Sequence, residues 1–344
     1  METNWEELGF AYHPTKYNVR CTYKKGEWGE LRMQRKRTIN LHIAANVLHY
    51  SQTAFEGLKA FRGIDGLVRI FRLDENAKRM QSSCRGIRMA QLPLEKFKEA
   101  VLYTVRLNEK YIPPYESGAS LYIRPVLFGT SPTVGVKPSD EYEFVVFVTP
   151  VGPYFKGGFT QTTPFMLSRE YDRAAPCGTG SIKIGANYAM GLAAGEKAQK
   201  LGYSQAFYLD AKEKKYIEEC GAANFFGIKG NTYVTPKSDS ILPSITNASL
   251  AKIAEHLGMK VERRPVPLEE LEEFEEAGAC GTAAVISPIS KIVDVDNKKE
   301  YIISKDGLPG AKSKMLYDYL RGIQYGEIED IFGWNTIVEF ISKS

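Results

Sequence analysis

The alternation of apolar and polar residues in the first part of the chain predicts paired strands and helices. Short alternating segments that turn at a glycine are typical of β-hairpins, and Asp65-Gly66 is the strongest short-range hairpin signal. Apolar residues at helical spacing predict two helices, the first with Asp74 as its N-cap. Two continuous apolar runs predict longer strands. In chain order, these hairpins, helices and strands occupy residues 21–34, 59–72, 75–89, 93–112, 120–129 and 142–151.

The pattern changes at residues 151–164, where glycines and prolines cluster without either periodicity. We place a linker there, between an N-terminal α+β domain over residues 1–150 and a C-terminal domain over residues 165–344. The second domain is predicted to contain a strand-like entry into a helix, two strands, a hairpin, two helices and a buried strand. In that order, these elements occupy residues 181–202, 204–210, 216–221, 224–236, 247–258, 268–278 and 279–290.

The composition is that of a folded globular protein and leaves small anionic ligands open as partners. Of the 344 residues, 43% are hydrophobic and 25% are charged, and the net charge of +4 is too weak to indicate a nucleic acid or a membrane surface as partner. The five cysteines are scattered without a C-x-x-C pair, so we expect reduced thiols in a cytoplasmic protein. We find neither a signal-peptide pattern nor an apolar run of about 18 residues.

The residues argue against several common chemistries and leave one lysine as the strongest candidate. The four histidines are dispersed and form no H-E-x-x-H, so we expect no metal site. The motifs of P-loops, dinucleotide-binding folds and serine hydrolases do not occur. Lys183 stands between Ile182 and Ile184, where loss of hydration would free its amine to form a Schiff base with a carbonyl. On this segment alone, a solvated lysine at a strand edge is the alternative.

Lys183 lies in one of several segments that share the pattern of a known family. These segments are residues 48–63, 77–80, 120–129, 181–192, 240–250 and 278–289. They resemble, in the same order, the fold-type-IV pyridoxal-phosphate enzymes, and among these the branched-chain amino acid aminotransferases. The resemblance implies an α+β chain of two domains, with a smaller N-terminal α/β domain and a larger C-terminal domain that has a barrel-like β core.

The activity implied by this resemblance is reversible ping-pong transfer of an amino group. The donors are leucine, isoleucine and valine, the acceptor is 2-oxoglutarate, and the cofactor is pyridoxal 5'-phosphate. D-amino acid aminotransferases and aminodeoxychorismate lyases share the scaffold and are the alternatives.

The resemblance also assigns residues to the cofactor. It implies that Lys183 forms the Schiff base with pyridoxal phosphate and carries the catalytic proton. Tyr188 is expected to hydrogen-bond the phenolic oxygen, and Glu219 to keep a proton on the ring nitrogen. The neighbouring Glu218 should point to the opposite face of an extended strand. The remaining cofactor residues, expected around the phosphate, are Arg79, Ile245, Thr246 and Thr282.

Substrate contacts are implied in the same way. The residues expected to enclose an aliphatic side chain are Phe55, Tyr122 and Tyr154. Arg124 is expected either to brace that wall or to bind the second carboxylate of glutamate. The residues expected near the α-carboxylate are Ala222, Thr282 and Ala283. The residues implied to reach into the site of a partner subunit are Tyr50, Val134 and Val136, which makes a homodimer the expected assembly.

Overall fold

The computed structural model describes residues 4–5, 7–152 and 159–340, and these form strands, α-helices and short 3-10 turns. The strands are β1 (Asn18–Lys24), β2 (Glu27–Trp28), β3 (Arg32–Gln34), β4 (Thr53–Phe55), β5 (Leu58–Arg62), β6 (Val68–Phe71), β7 (Ser120–Gly129), β8 (Tyr142–Val151), β9 (Thr163–Ser168), β10 (Ala206–Leu209), β11 (Ile217–Cys220), β12 (Ala223–Lys229), β13 (Thr232–Pro236), β14 (Lys260–Arg264), β15 (Glu276–Gly281), β16 (Val285–Asp294), β17 (Lys299–Ile302) and β18 (Asn335–Ile337). The helices are α1 (Asn46–Tyr50), α2 (Leu73–Gly86), α3 (Leu94–Leu107), α4 (Gly185–Met190), α5 (Leu192–Lys200), α6 (Ile245–His256) and α7 (Ala311–Tyr325).

The chain divides into two compact units. The first unit holds the described residues of 1–154, 183–185 and 322–344, and the second holds those of 155–182 and 186–321. Lys183 therefore packs with the first unit. The predicted linker at 151–164 lies partly outside the described residues, and the domain limits derived from the sequence stay a prediction.

The first unit is built on an antiparallel sheet in the order β18-β6-β5-β7-β8-β1-β2, with β3 paired to β1 and β4 paired to β7. Strands β7 and β8 pair along their whole length, from Ser120 opposite Val151 to Gly129 opposite Tyr142. The apolar face of α3 is buried, and Phe97 on that face is almost fully enclosed. Burial of such a side chain stabilises the fold by about 1.5–3 kcal/mol.

The second unit contains a closed β-barrel. Its six strands follow the order β11-β10-β9-β16-β15-β12, and β12 pairs back to β11 to close the ring. Strands β13 and β14 extend the sheet from β12, and β17 pairs with β16. Large apolar residues such as Phe165, Phe207 and Phe225 form its buried core. The barrel-like β core expected in the C-terminal domain is confirmed.

The structure departs from the predictions for the acidic segment and for the small-residue segment that follows it. The helix predicted over 268–278 is only a 3-10 turn, Leu268–Glu273, because its buried apolar residues recur every three positions and suit the tighter turn. The single strand predicted over 279–290 is interrupted by a turn, because residues 279–281 end β15 and residues 285–290 begin β16, and these two strands pair antiparallel.

Two helix boundaries also differ from the prediction. Helix α2 begins at Leu73 with Arg72 as N-cap, so Asp74 is an acidic residue of the first turn and not the cap. The helix expected up to residue 202 is divided into α4 and α5 at Gly191. Asp74 still lies where a negative charge favours the helix dipole.

Within the described ranges, none of the helices is long and apolar enough to cross a bilayer. The same residues contain no group of three or more His, Cys, Asp or Glu side chains that could hold a metal ion.

Candidate active site

Lys183 is held against the first unit by its own backbone. Its carbonyl accepts a hydrogen bond from the amide of Phe55 at 3.1 Å, and its amide donates to Ser83 Oγ at 2.9 Å. The next residue, Ile184, forms a β-bridge with Ala54. The half-buried side chain places Nζ 4.8 Å from the centre of the Phe55 ring. The predicted imine-forming lysine therefore lies on the aromatic face of a predicted pocket residue.

Arg124 and Tyr122 belong to the same cluster. The Arg124 guanidinium lies 4.8 Å from the centre of the Phe55 ring and donates to Tyr122 Oη at 2.9 Å. A side chain at Gly57 would approach Tyr122 Oη to 2.2 Å, so glycine is required for this arrangement. Among the described residues, Arg124 Nε is buried without a hydrogen-bond partner. An unsatisfied buried donor costs about 1–3 kcal/mol.

Arg79 is oriented by a buried carboxylate. Its Nε and Nη2 donate to the two carboxylate oxygens of Glu56, each at 2.8 Å. Glu56 has 0% of its surface exposed. This bidentate pair fixes the plane of the guanidinium on helix α2.

The residues predicted to reach a partner subunit lie on the surface of the first unit. Val134 and Val136 are 87% and 86% exposed. The hydroxyl of Tyr50 donates to the carbonyl of Val134, which joins the two predicted segments. Tyr154 lies outside the described residues.

Both glutamates of β11 are buried, with different partners. Glu219 is 1% exposed, and its Oε1 accepts hydrogen bonds from the Leu242 amide at 2.6 Å and from Asn224 Nδ2 at 3.3 Å. Glu218 accepts a hydrogen bond from Ser238 Oγ at 2.9 Å. Burial raises the pKa of the Glu218 carboxyl above its ordinary value. Neither residue is the solvated acid that such hairpins commonly carry.

Helix α6 begins beside this network. Ser244 is its N-cap, and the Ser244 hydroxyl accepts a hydrogen bond from the Asn247 amide at 3.2 Å. Ile245 and Thr246 are the first two helical residues, whose N–H groups have no acceptor within the helix. Asn247 Nδ2 also donates to Asn224 Oδ1 at 3.1 Å, so the helix start is tied to the residue that contacts Glu219.

The other predicted residues of the second unit line a cavity or a turn. Tyr188 and Ala222 both line a cavity of about 540 Å³. Thr282 and Ala283 are half-buried in the turn between β15 and β16. This turn ends at Val285, whose φ of 65° lies in the left-handed region that a β-branched residue rarely adopts.

These features fit a phosphorylated pyridine ring. A buried carboxylate suits a protonated ring nitrogen, and the start of a capped helix suits a phosphate. Comparison with known proteins decides the family, because residues 53–292 match the family described as amino-transferase class IV. The chain belongs to the class IV aminotransferase family. Members of this family are pyridoxal-phosphate enzymes, so the family resemblance inferred from the sequence is confirmed.

Individual relatives of this class IV aminotransferase match it over nearly their full length. A branched-chain-amino-acid aminotransferase of Helicobacter pylori is 46% identical over 96% of both chains. One from Haemophilus influenzae is 45% identical over 98% of this chain and 99% of the relative. The solved structure of the branched-chain amino acid aminotransferase from Thermobaculum terrenum in its PLP form has a TM-score of 0.77, with 25% identity, over 95% of this chain and 99% of that one.

Sequence reasoning missed two residues that pair with predicted site residues: Glu56, which binds Arg79, and Arg173, whose Nε lies 2.8 Å from Glu219 Oε2. Glu56 lies in the segment F-E-G, next to the predicted Phe55, but its burial has no signature in the hydrophobic pattern. Arg173 precedes a glycine-rich loop, and nothing in its neighbourhood indicates a buried charge. Both were detectable only as ion pairs in the folded chain.

Proposed function

We propose that this class IV aminotransferase is a branched-chain amino acid aminotransferase that exchanges the amino groups of leucine, isoleucine and valine with 2-oxoglutarate. The observation that carries the proposal is identity above 40% to enzymes of that name over nearly all of both chains. The aromatic cluster around Lys183 supports it, since the Phe55 and Tyr122 rings offer apolar surface to an aliphatic side chain.

The proposed roles follow from the chemistry of each group. Bound pyridoxal phosphate supplies an electron sink that stabilises negative charge at the substrate α-carbon. The Lys183 amine would take the proton from the substrate α-carbon and deliver it to the cofactor carbon that carries the amino group. Glu219 would accept a hydrogen bond from the protonated ring nitrogen, and Tyr188 would donate one to the phenolic oxygen.

Phosphate binding is assigned to groups that offer positive charge or N–H donors. Arg79 contributes a guanidinium, and Ile245 and Thr246 contribute N–H groups at the start of α6. Thr282 contributes a hydroxyl. The residues assigned to the α-carboxylate of the substrate are Ala222, Thr282 and Ala283.

Glutamate poses a separate problem, because its second carboxylate must enter a pocket suited to leucine. An unpaired buried carboxylate would cost several kcal/mol. We assign its recognition to Arg124, because the Arg124 guanidinium and Lys183 Nζ both lie 4.8 Å from the centre of the Phe55 ring.

An absorbance experiment on the purified protein with added pyridoxal phosphate tests the proposal. We expect a visible band that shifts when L-leucine is added and returns with 2-oxoglutarate. D-alanine and aminodeoxychorismate should leave the band in place, and a response to either of them in preference to leucine would favour the alternative enzymes. Lys183→Ala should bind the cofactor without turnover. Arg124→Gln should slow the return step more than the leucine step, and equal slowing would leave Arg124 as a brace.

A further inference from the structure

A buried ion pair joins Arg173 to Glu219 in the second unit. Arg173 Nε lies 2.8 Å from Glu219 Oε2, and the two residues are 8% and 1% exposed. A carboxylate in such a setting loses the hydration that favours its charged form. The guanidinium stabilises that negative charge, and the ion pair offsets part of the desolvation cost of both groups.

Arg173 also holds two loops through its other end. Nη1 donates to the carbonyl of Ser240 at 2.7 Å and to that of Gly180 at 3.0 Å. Gly180 precedes Lys183 by three positions, and Ser240 precedes Leu242, whose amide binds Glu219 Oε1. One side chain therefore ties strand β11 to the loop before Lys183 and to the loop before helix α6.

We propose that Arg173 is a positioning residue that keeps Glu219 ionised and correctly oriented to accept a hydrogen bond from the protonated ring nitrogen of the cofactor. This inference rests on the proposed function, in which Glu219 contacts that nitrogen. A shared proton stays on the nitrogen only if the carboxylate is the weaker base of the two. The adjacent guanidinium stabilises the carboxylate anion and so weakens it as a base. Without Arg173, burial would favour a neutral Glu219 and an unprotonated ring, which is a poorer electron sink.

The same unit offers a matched control. Arg169 lies four positions earlier and pairs with Asp294, its Nη2 lying 2.7 Å from Asp294 Oδ2. Asp294 is also buried. Arg169→Gln therefore removes an arginine from a buried carboxylate that is not Glu219, and it reports the general cost of such a loss.

The experiment measures the protonation of the ring nitrogen directly. Wild type, Arg173→Gln, Arg169→Gln and Glu219→Gln are loaded with pyridoxal phosphate labelled with ¹⁵N in the ring, and the ¹⁵N chemical shift is recorded at one pH on protein shown to be folded by circular dichroism. We expect Arg173→Gln to move the resonance from the pyridinium position towards that of neutral pyridine, as Glu219→Gln does. Arg169→Gln should leave it unchanged.

If Arg173→Gln does not fold, Arg173→Lys is used in its place. A lysine keeps the charge but cannot contact Glu219 and both loop carbonyls together, so its resonance should lie between those of wild type and Glu219→Gln. A wild-type resonance in the folded Arg173 variants, or an equal shift in Arg169→Gln, would overturn the inference. If the ¹⁵N resonance of Glu219→Gln stays at the wild-type position, the role proposed for Glu219 is refuted. If the wild-type protein binds no cofactor, the proposed function is refuted.

Discussion

Two buried arginine–glutamate pairs support the proposed cofactor contacts, one in each unit. In the pair Arg79–Glu56 the arginine is the member assigned to the cofactor, and in the pair Arg173–Glu219 it is the glutamate. Each assigned ion is thus oriented by an opposite charge that is itself buried. Breaking such a pair leaves an uncompensated charge, so removal of either supporting residue should affect the assigned one.

Replacement of Glu56 by glutamine should weaken cofactor binding. Glutamine offers one acceptor oxygen where the carboxylate offers two, so the guanidinium of Arg79 loses its fixed plane. Ordering the freed Arg79 side chain on binding costs about 0.5–1.5 kcal/mol, which corresponds to a rise in the pyridoxal phosphate dissociation constant of roughly 2- to 10-fold. Spectral titration with the cofactor measures it. Asp65→Asn is the control, because Asp65 forms a more exposed pair with Arg69. Unaltered affinity in Glu56→Gln would refute the orienting role.

Glu218 provides a prediction about pH and stability. Burial raises the pKa of its carboxyl above the ordinary value of 4.5, so the folded chain binds this proton more tightly than the unfolded chain. The contribution is fully stabilising below pH 4.5 and is lost as the pH rises through the raised pKa. Glu218→Gln stays neutral at every pH. We therefore expect Glu218→Gln to melt at a higher temperature than wild type near pH 7. The difference between the two melting temperatures should narrow towards pH 4.

The neighbouring Glu219, whose carboxylate is paired with Arg173, allows a comparison of turnover between the two glutamates. Glu219→Gln should lose most turnover, whereas Glu218→Gln should lose little. Equal losses of turnover would mean that the two side chains had been assigned to the wrong faces of β11.

At the level of elements, the sequence predicted secondary structure best where the hydrophobic pattern of a segment is compatible with only one kind of element. The runs at 120–129 and 142–151 became β7 and β8 with the same limits, because each is a long apolar segment between turn residues. The helix predicted over residues 268–278 was wrong because apolar residues three positions apart suit both an α-helix and a 3-10 turn. Its one aromatic residue, Phe274, lies against Gly227 of the barrel, a tertiary contact that no local pattern specifies.

The loop before Lys183 depends on the absence of a side chain at Gly180. A Cβ atom there would lie 2.0 Å from the Ser240 carbonyl oxygen, which also accepts a hydrogen bond from Arg173. Gly180→Ala should therefore destabilise the fold by about 1–3 kcal/mol, as overpacking commonly does, and should also lower turnover. Chemical denaturation and a turnover assay measure the two effects.

Gly195→Ala is the matched control for the loop variant. Gly195 lies within helix α5 with nothing within 4 Å of the added carbon, so alanine should stabilise that helix by about 0.5–1 kcal/mol. A Gly180→Ala variant as stable and as active as wild type would show that the loop adjusts without cost.

At the level of the whole molecule, the barrel could not be derived from periodicity. Its closure depends on the pairing of β11 with β12 across the two-residue turn at 221–222, and only the resemblance to a family implied a barrel. The same limit applies to the candidate site. Lys183 was a candidate from its apolar neighbours and Glu219 from the family resemblance, whereas Glu56 and Arg173 are defined by contacts between residues far apart in the sequence.

The remaining property of the whole molecule is its oligomeric assembly. The first unit carries an exposed apolar surface of the kind that contacts another subunit. We call residues 43–50 and 131–136 the exposed patch. Backbone hydrogen bonds join these segments, from Asn46 to Ser131 and from Thr133 to Ala44. The patch exposes Ile43, Leu48, Tyr50, Val134 and Val136. Contiguous exposed apolar groups of this kind mark protein interaction sites, whereas single ones need no explanation.

We expect the exposed patch to form part of a homodimer interface, as the family resemblance implies for Tyr50, Val134 and Val136. The double substitution Val134→Asp and Val136→Asp would place two charges in that interface, and burial of unpaired carboxylates costs several kcal/mol, enough to shift the equilibrium towards monomers. Analytical ultracentrifugation measures that shift, and turnover should fall with it because these side chains are assigned to the partner's site. Ile64→Asp is the control, since Ile64 is an exposed apolar residue of the first unit outside the patch. If the double variant sediments like wild type and remains active, the patch lies outside the interface and the pocket of each chain must be complete without it.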